Sequence, residues 1–375
     1  MSAVTVLGTG FAALTAVRKL RAADKQLDIT VIAPQPKLVY LPSLIWLPSD
    51  QRKPEDIVIP LDNFFKRNNV TYVQGAAEGL EDGGRTVKTS NGDVANDGLI
   101  IGTGGRFIKK LPGIENAITP CEGVDPVMKF KEKLEGLEGG TVAFGFAGNP
   151  KEKSAVRGGP MFEFLFGTDE LLRRQGRRDK FRLAFFCPAP KPGDRLGAKA
   201  QAKLMDRMRE LDIDIYIGNK MVRFEADKVV TEATEFAADL IMFMPGMTGN
   251  KWFDNTDLPR SEGGLLKADA HCKIEGFERT YVAGDSGSFP GPDWQPKQAH
   301  MADLQAAAAA ANLADELNGK APSHTFRVEL VCVIDDNKTG VVVARTPNIR
   351  LALPRMRLAH RTKEMFERKY LKLYR

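Results

Sequence analysis

The residues best placed to do chemistry sit in glycine-containing bends. Gly8-x-Gly10-x-x-Ala13 lies between the strand-like run "AVTVL" and the helical run "FAALTAVRKLRAA". Gly8 suits a tight turn, and Gly10 lets the backbone approach a pyrophosphate. Ala13 lets helix and strand pack closely, and the helix N-terminus faces the phosphates. Gly102-Thr103-Gly104 follows the apolar run "GLII", and Gly284-Asp285 follows "TYVA". A fourth stretch, "SAVRGGPMFEF" (Ser154 to Phe164), strips the backbone bare at Gly158, Gly159 and Pro160 beside Arg157. It reads as a phosphate cradle, as a floor for a flat cofactor, or as a turn that needs small residues. One part of the dinucleotide pattern is missing. The second strand should end in an acid for the adenosine ribose, but Ala33-Pro34 stands there, leaving Gln35 or backbone groups to do that work.

Strands and helices must alternate to position these bends. "AVTVLGTGFAALTAVRKLRAA" followed by "DITVIAPQP" is an opening βαβ unit, which predicts a parallel sheet covered by helices. "GTVAFGFAGNP" starts a second strand–turn–helix, with "FRLAFFCPAP" as its next strand. The expected fold class is α/β, with two Rossmann-like dinucleotide-binding domains. The first spans residues 1–112 and 247–319, and the second, spanning 113–246, interrupts it. Residues 320–375 form a C-terminal region: "VELVCVIDDNKTGVVVA" reads as strand–turn–strand, and the end as a basic amphipathic helix. The second domain's turn, "GFAGNP", is not GxGxxG, and its second strand carries no acid for a ribose, which disfavours NADH there.

The chain has 375 residues and a net charge of +6, too weakly basic to suggest nucleic acid as a partner. Cys121, Cys187, Cys272 and Cys332 are far apart, with no metal-ligand spacing, so no metal is expected. They read as reduced thiols in a reducing compartment. No apolar run reaches the roughly 18 to 20 residues of a membrane span. The first strand begins near Val4, and a cytoplasmic protein is the expectation.

The three bends together resemble the two-dinucleotide-binding-domain flavoproteins. With "FGFAGNPKEKSAVRGGPMFEF", "PKQAHMADLQAAAAA" and "VCVIDDNKTGVVVA", the chain is similar to the sulfide:quinone oxidoreductase and flavocytochrome c sulfide dehydrogenase family from first strand to last helix. The resemblance implies FAD, with Gly8 and Gly10 on its pyrophosphate and Asp285 on its ribityl chain. It makes the Gly158-Gly159-Pro160 stretch the floor of the flavin site. The chain departs from the family at one point. Members carry a redox cysteine just before the Gly-Pro turn, where this chain has Arg157. The partner cysteine matches Cys332, and a further cysteine near the flavin, bonded to it in some members, matches Cys121.

The implied disulfide pair is therefore broken. Cys332 is either a lone thiolate whose pKa Arg157 lowers, able to attack a sulfur substrate, or an inert buried cysteine. Lys297 matches a family lysine at the flavin's pyrimidine end, where it would stabilise the anionic reduced flavin. His300 is either a proton relay or a structural histidine. Glu163 is either an acid/base beside the flavin or a carboxylate stabilised at a helix start. The resemblance implies an FAD-dependent oxidoreductase that takes electrons from sulfide or a related reduced sulfur compound. It would deliver them to a quinone or a carrier protein. A type-II NAD(P)H dehydrogenase and a non-catalytic flavoprotein are the alternatives. Ten Lys or Arg against two acids between Arg345 and Arg375 suit peripheral contact with an anionic membrane, an acidic carrier, or plain solvation.

Overall fold

The computed structural model describes residues 2–375. The chain opens with β1 (Ala3–Leu7), α1 (Phe11–Ala23) and β2 (Asp28–Ala33), then places β3 (Val70–Gln74) and β4 (Gly98–Ile101) in the same sheet. The second sheet follows, from β5 (Ala117–Ile118), β6 (Gly140–Phe146), α2 (Gly159–Arg174), β7 (Phe181–Cys187), β8 (Ile213–Ile217) and β9 (Leu240–Met244). The chain then returns to the first sheet with β10 (Thr280–Val282) and α3 (Ala299–Leu317). A hairpin of β11 (Leu330–Asp335) and β12 (Gly340–Arg345) takes a third strand, β13 (Arg350–Ala352), before the final helix α4 (Arg357–Leu371).

The first sheet has order β10-β4-β1-β2-β3 and the second β5-β9-β6-β7-β8, with every pairing parallel. Their central strands are near-continuous apolar runs because helices or loops cover both faces. β4 and β9 are buried at every position. The expected α/β architecture with two Rossmann-like sheets is borne out, and the first sheet is completed only after the second is finished.

The glycine bends form where side chains would not fit. Gly8 has φ +107, and a Cβ there would lie 2.6 Å from the Gly102 carbonyl oxygen, so β1 and β4 end in near contact. A Cβ at Gly102 would in turn meet the backbone of Ala13 at 3.0 Å. Ala13 is buried there and gives the close helix–strand packing expected of it. α3, the alanine-rich helix, lies along α1, and Gly284 (φ +72) nests between Ala12 and Ala302.

Between β6 and α2 the chain makes a loop of residues 147–158 instead of a direct turn. Asn149 clamps this loop by donating to the carbonyls of Met247 (2.9 Å) and Gly263 (3.0 Å). Ala155 is buried against Met247 and Leu265. The loop is thereby held against the segment that leads back to the first sheet. Among the described residues no helix is long and apolar enough to cross a membrane.

Candidate functional site

One cleft of about 1330 Å³ runs between the C-terminal ends of the two parallel sheets and beneath the C-terminal hairpin and helix. This is where open α/β sheets bind ligands. The starts of α1, α2 and α3 all reach its wall, at Gly10, Gly159 and Ala299, and none of the three carries an acid in its first turn. Three positive helix ends therefore face one cavity that favours negative charge.

The residues present fit an extended dinucleotide. Gly10 and Gly104 line the cleft, and a Cβ at either would meet nothing within 4 Å, so both leave open backbone where a phosphate needs it. The volume exceeds the roughly 300–1,000 Å³ of ordinary small-molecule sites. Of the other residues singled out, Gly8, Gly102, Thr103, Cys121, Arg157, Pro160, Glu163, Gly284, Asp285, Lys297, His300 and Cys332 also line this cleft. Gln35 does not. It is exposed outside the wall, and only its carbonyl is engaged, accepting from Thr9 Oγ1 at 3.4 Å. The ribose end is instead walled by Ala33, Pro34, Gly75 and Ala76, where β2 and β3 end without a carboxylate.

Arg157 does not stand where it would activate Cys332. Its guanidinium forms an ion pair with Asp285, both side chains being largely buried, and Cys121 lies in its field. Burial pulls against the charge of Arg157, but Asp285 and Cys121 hold its pKa above the ordinary value. Burial pushes the Cys121 thiol up, and Arg157 opposes that shift. Cys332 lies in a different environment. Burial and the nearby Glu163 carboxylate push its thiol up to about 12, with Lys363 opposing. The expected lowering of the Cys332 pKa by Arg157 is therefore corrected, because the arginine's charge is engaged by Asp285 and Cys121.

Glu163 sits in the first turns of α2 and is buried. Its Oε1 accepts from the Asp335 amide at 3.0 Å and from Lys363 Nζ at 2.5 Å. Burial raises its pKa to about 7 despite Lys363. Behind it, burial would raise Asp335, but His360 Nδ1 at 2.8 Å and the Lys363 charge hold its carboxyl below the usual range. Trp46 Nε1 also donates to Asp335 at 3.3 Å. Glu163, Lys363, Asp335, His360 and Trp46 thus form one hydrogen-bonded network under the hairpin, and half-buried Cys332 lines the same cleft. Elsewhere in the cleft wall, Lys297 Nζ bonds the carbonyls of Gly284 and Gly287. Burial lowers its pKa to about 8 against the pull of Asp285 and Glu152. His300 Nε2 lies 2.6 Å from Glu329.

Several cleft residues have no separate local signal. Lys363, Phe366 and Tyr370 all line the cleft from α4. Their i, i+3, i+7 spacing is that of one helix face, and that periodicity was the available clue. Tyr370 donates to Asp303 at 3.0 Å, and burial raises Asp303 to about 6. Cys187, at the end of β7, lines the cleft too, its thiol pushed up to about 12 by burial.

Over 396 aligned residues, 98% of this chain and 90% of the relative, the sequence is 26% identical to sulfide-quinone reductase of Aquifex aeolicus. The resemblance expected from the motifs is borne out. The crystal structure of the sulfide:quinone oxidoreductase from that bacterium superposes with a TM-score of 0.92 at 23% identity, covering 100% of this chain and 92% of that one. Residues 185–307 match a family profile described as pyridine nucleotide-disulphide oxidoreductase, in line with the expected oxidoreductase. Type II NADH:quinone oxidoreductase of Staphylococcus aureus is 24% identical over 84% of this chain and 83% of its own length. In this chain the clamped loop 147–158 stands between β6 and α2. A dinucleotide on the second sheet needs its phosphates at a helix that starts directly after the strand, and twelve residues intervene here.

Proposed function

We propose that this chain is an FAD-dependent oxidoreductase that accepts electrons from a reduced sulfur compound and passes them to a quinone. One observation carries this reading. A single cleft joins a dinucleotide cradle to Cys332 and to the Glu163–Lys363 pair, and opens beside exposed Phe366. Gly8, Gly10 and the start of α1 would hold the pyrophosphate. Asp285 would face the ribityl chain with Arg157 fixing its orientation, and Lys297 with the start of α3 would favour negative charge at the pyrimidine end. Bound FAD would supply a two-electron acceptor that can be reoxidised. With no second cysteine at position 157, Cys332 and Cys121 act as single thiols in contact with the sulfur substrate. Glu163, near neutral pKa and paired with Lys363, is placed to take up or release a proton.

The quinone side is the α4 face. Leu358 (66% exposed), Phe366 (57%) and Ile349 (57%) stand out among Arg345, Arg350, Arg355, Arg357 and Arg361. Apolar side chains within a basic surface suit the interface of an anionic bilayer, where a quinone is met.

The test is anaerobic flavin reduction by sulfide, polysulfide, glutathione persulfide and NAD(P)H, followed at the flavin absorption band. Bleaching by a sulfur donor and not by NAD(P)H supports the reading, and bleaching by NAD(P)H alone overturns it. A second reading has its own observation: burial raises the pKa of the Cys121 and Cys332 thiols, as suits an electron-transfer or sensor flavoprotein without turnover. Slow reduction by every donor would favour it.

A further inference from the structure

The cleft extends into a lobe that the proposed chemistry does not use. The lobe is built by residues 188–197, which follow β7, and closed by the loop that leads to Lys297. Most cations around the cleft already have acids. Arg157 pairs with Asp285, Lys153 with Asp293 at 2.7 Å, and Arg327 with Glu329 at 2.7 Å. Arg195 differs. It is half-buried in the lobe wall, and its side chain makes one long hydrogen bond, Nη1 to the Gln295 carbonyl at 3.4 Å. Among the described residues no carboxylate lies within 4.0 Å of its guanidinium, although Asp194, Asp293 and Glu152 are nearby, as is the like charge of Arg345. Lys191 lines the same lobe and likewise has no ion-pair partner among the described residues. An arginine stays charged under burial, and a desolvated charge without a counter-ion is costly. The loop carrying it is nevertheless held firmly. Arg345 donates to the Arg195 carbonyl at 2.6 Å and stacks on Trp294 at 4.6 Å.

We propose that this lobe is an anion subsite, in which Arg195 and Lys191 bind a carboxylate of an organic thiol or persulfide whose sulfur reaches toward Cys332. The inference rests on the sulfur reading above and names the substrate class. Arg195 touches Gln295, and three residues on, Gln298 donates to the Val331 carbonyl at 3.0 Å, next to Cys332. The cations and the thiol line one cleft from separate segments, 191–195 and 332. A ligand that meets both is longer than hydrogen sulfide and anionic at its far end. The planar guanidinium fork suits a carboxylate. An arginine after the second strand is also where a coenzyme 2′-phosphate binds in dinucleotide folds, but the loop 147–158 stands where that coenzyme's pyrophosphate would turn.

The probe is S-methylglutathione, a thioether with two carboxylates that reduces no flavin, titrated calorimetrically into the FAD-loaded protein. Wild type binds it, the probe with both carboxylates esterified binds at least about tenfold more weakly, and Arg195→Gln with Lys191→Gln loses a similar factor, as expected for a lost charge-assisted hydrogen bond. Arg195→Lys retains part of the affinity and guards against a folding artefact in the double variant, whose flavin content is measured alongside. Equal binding by wild type and double variant, no binding of the probe, or its displacement by 2′,5′-ADP overturns the proposal. Displacement only by inorganic polysulfide also overturns it, since the lobe then holds a sulfur chain and not a carboxylate. If sulfide bleaches the flavin but the probe does not bind, the subsite falls and the sulfur reading stands. If the probe binds but no sulfur donor bleaches the flavin, the subsite stands and that reading falls.

Discussion

Replacing Arg157 with Met strips the counter-ion from Asp285 and leaves a largely buried carboxylate. Their side chains are 13% and 18% exposed and in contact. Two unit charges about 3 Å apart, at an effective dielectric near 20, attract by about 5 kcal/mol. Breaking a buried pair by removing one partner typically costs about 3–5 kcal/mol. For 375 residues the unfolding entropy is about 0.8 kcal/mol/K, from roughly 2.1 cal/mol/K per residue, so Tm should fall by about 4–6 °C. The measurement belongs on cofactor-free protein, by urea and thermal unfolding, so that altered flavin binding does not contribute. Asp285→Asn added to Arg157→Met leaves no bare charge and should recover most of the loss. Cys121 loses the one group opposing its burial, so its alkylation by iodoacetamide should slow in Arg157→Met. A single variant within about 1 kcal/mol of the parent, or a double variant with additive losses, would refute the ion-pair argument.

Gly10→Val and Gly8→Ala should fail in different ways. The first fills open cradle space with an allowed backbone, giving a folded protein that purifies without yellow colour; the second meets the Gly102 carbonyl at 2.6 Å and φ +107, and should lower stability itself. Flavin reoxidation by a short-chain quinone should inflect near pH 7, where Glu163 titrates, and Lys363→Met should move that inflection upward because Lys363 opposes the burial shift. Glu163 binds its proton more tightly folded than unfolded, so its contribution to stability is complete below about pH 4.3 and lost as pH rises through 7. A stability profile for Glu163→Gln that keeps this fall would remove Glu163 as its source. Cys332→Ser should abolish bleaching by sulfur donors with FAD retained, and unchanged bleaching would exclude Cys332 from the chemistry.

Much of this site is written locally. Gly8, Gly10, Gly102 and Gly284 stand just past strand ends, in bends whose geometry depends on a few adjacent residues, so their places could be read from spacing. The bare Gly158-Gly159-Pro160 run announced a close approach at the start of α2, and Phe146 fills the space a Cβ at Gly158 would need. Direction was not legible. Arg157 adjoins the Gly158-Gly159-Pro160 run, but whether it faces Asp285 or Cys332 depends on how the loop before α2 folds against the end of β10. Gln35 stood in the right register for a ribose contact and yet points away, because the turn after Pro34 leaves it exposed. The Glu163–Lys363 pair joins positions 200 apart, and no local pattern encodes such a meeting.

The clamp at Asn149 also bears on how readily this turn could be rebuilt. Placing three glycines after β6 would leave the twelve-residue connection in place, because Asn149 ties it to the carbonyls of Met247 and Gly263. Excising it would bare the apolar surface that Ala155 shares with Met247 and Leu265. Point substitutions in this turn therefore leave the path from strand to helix unchanged.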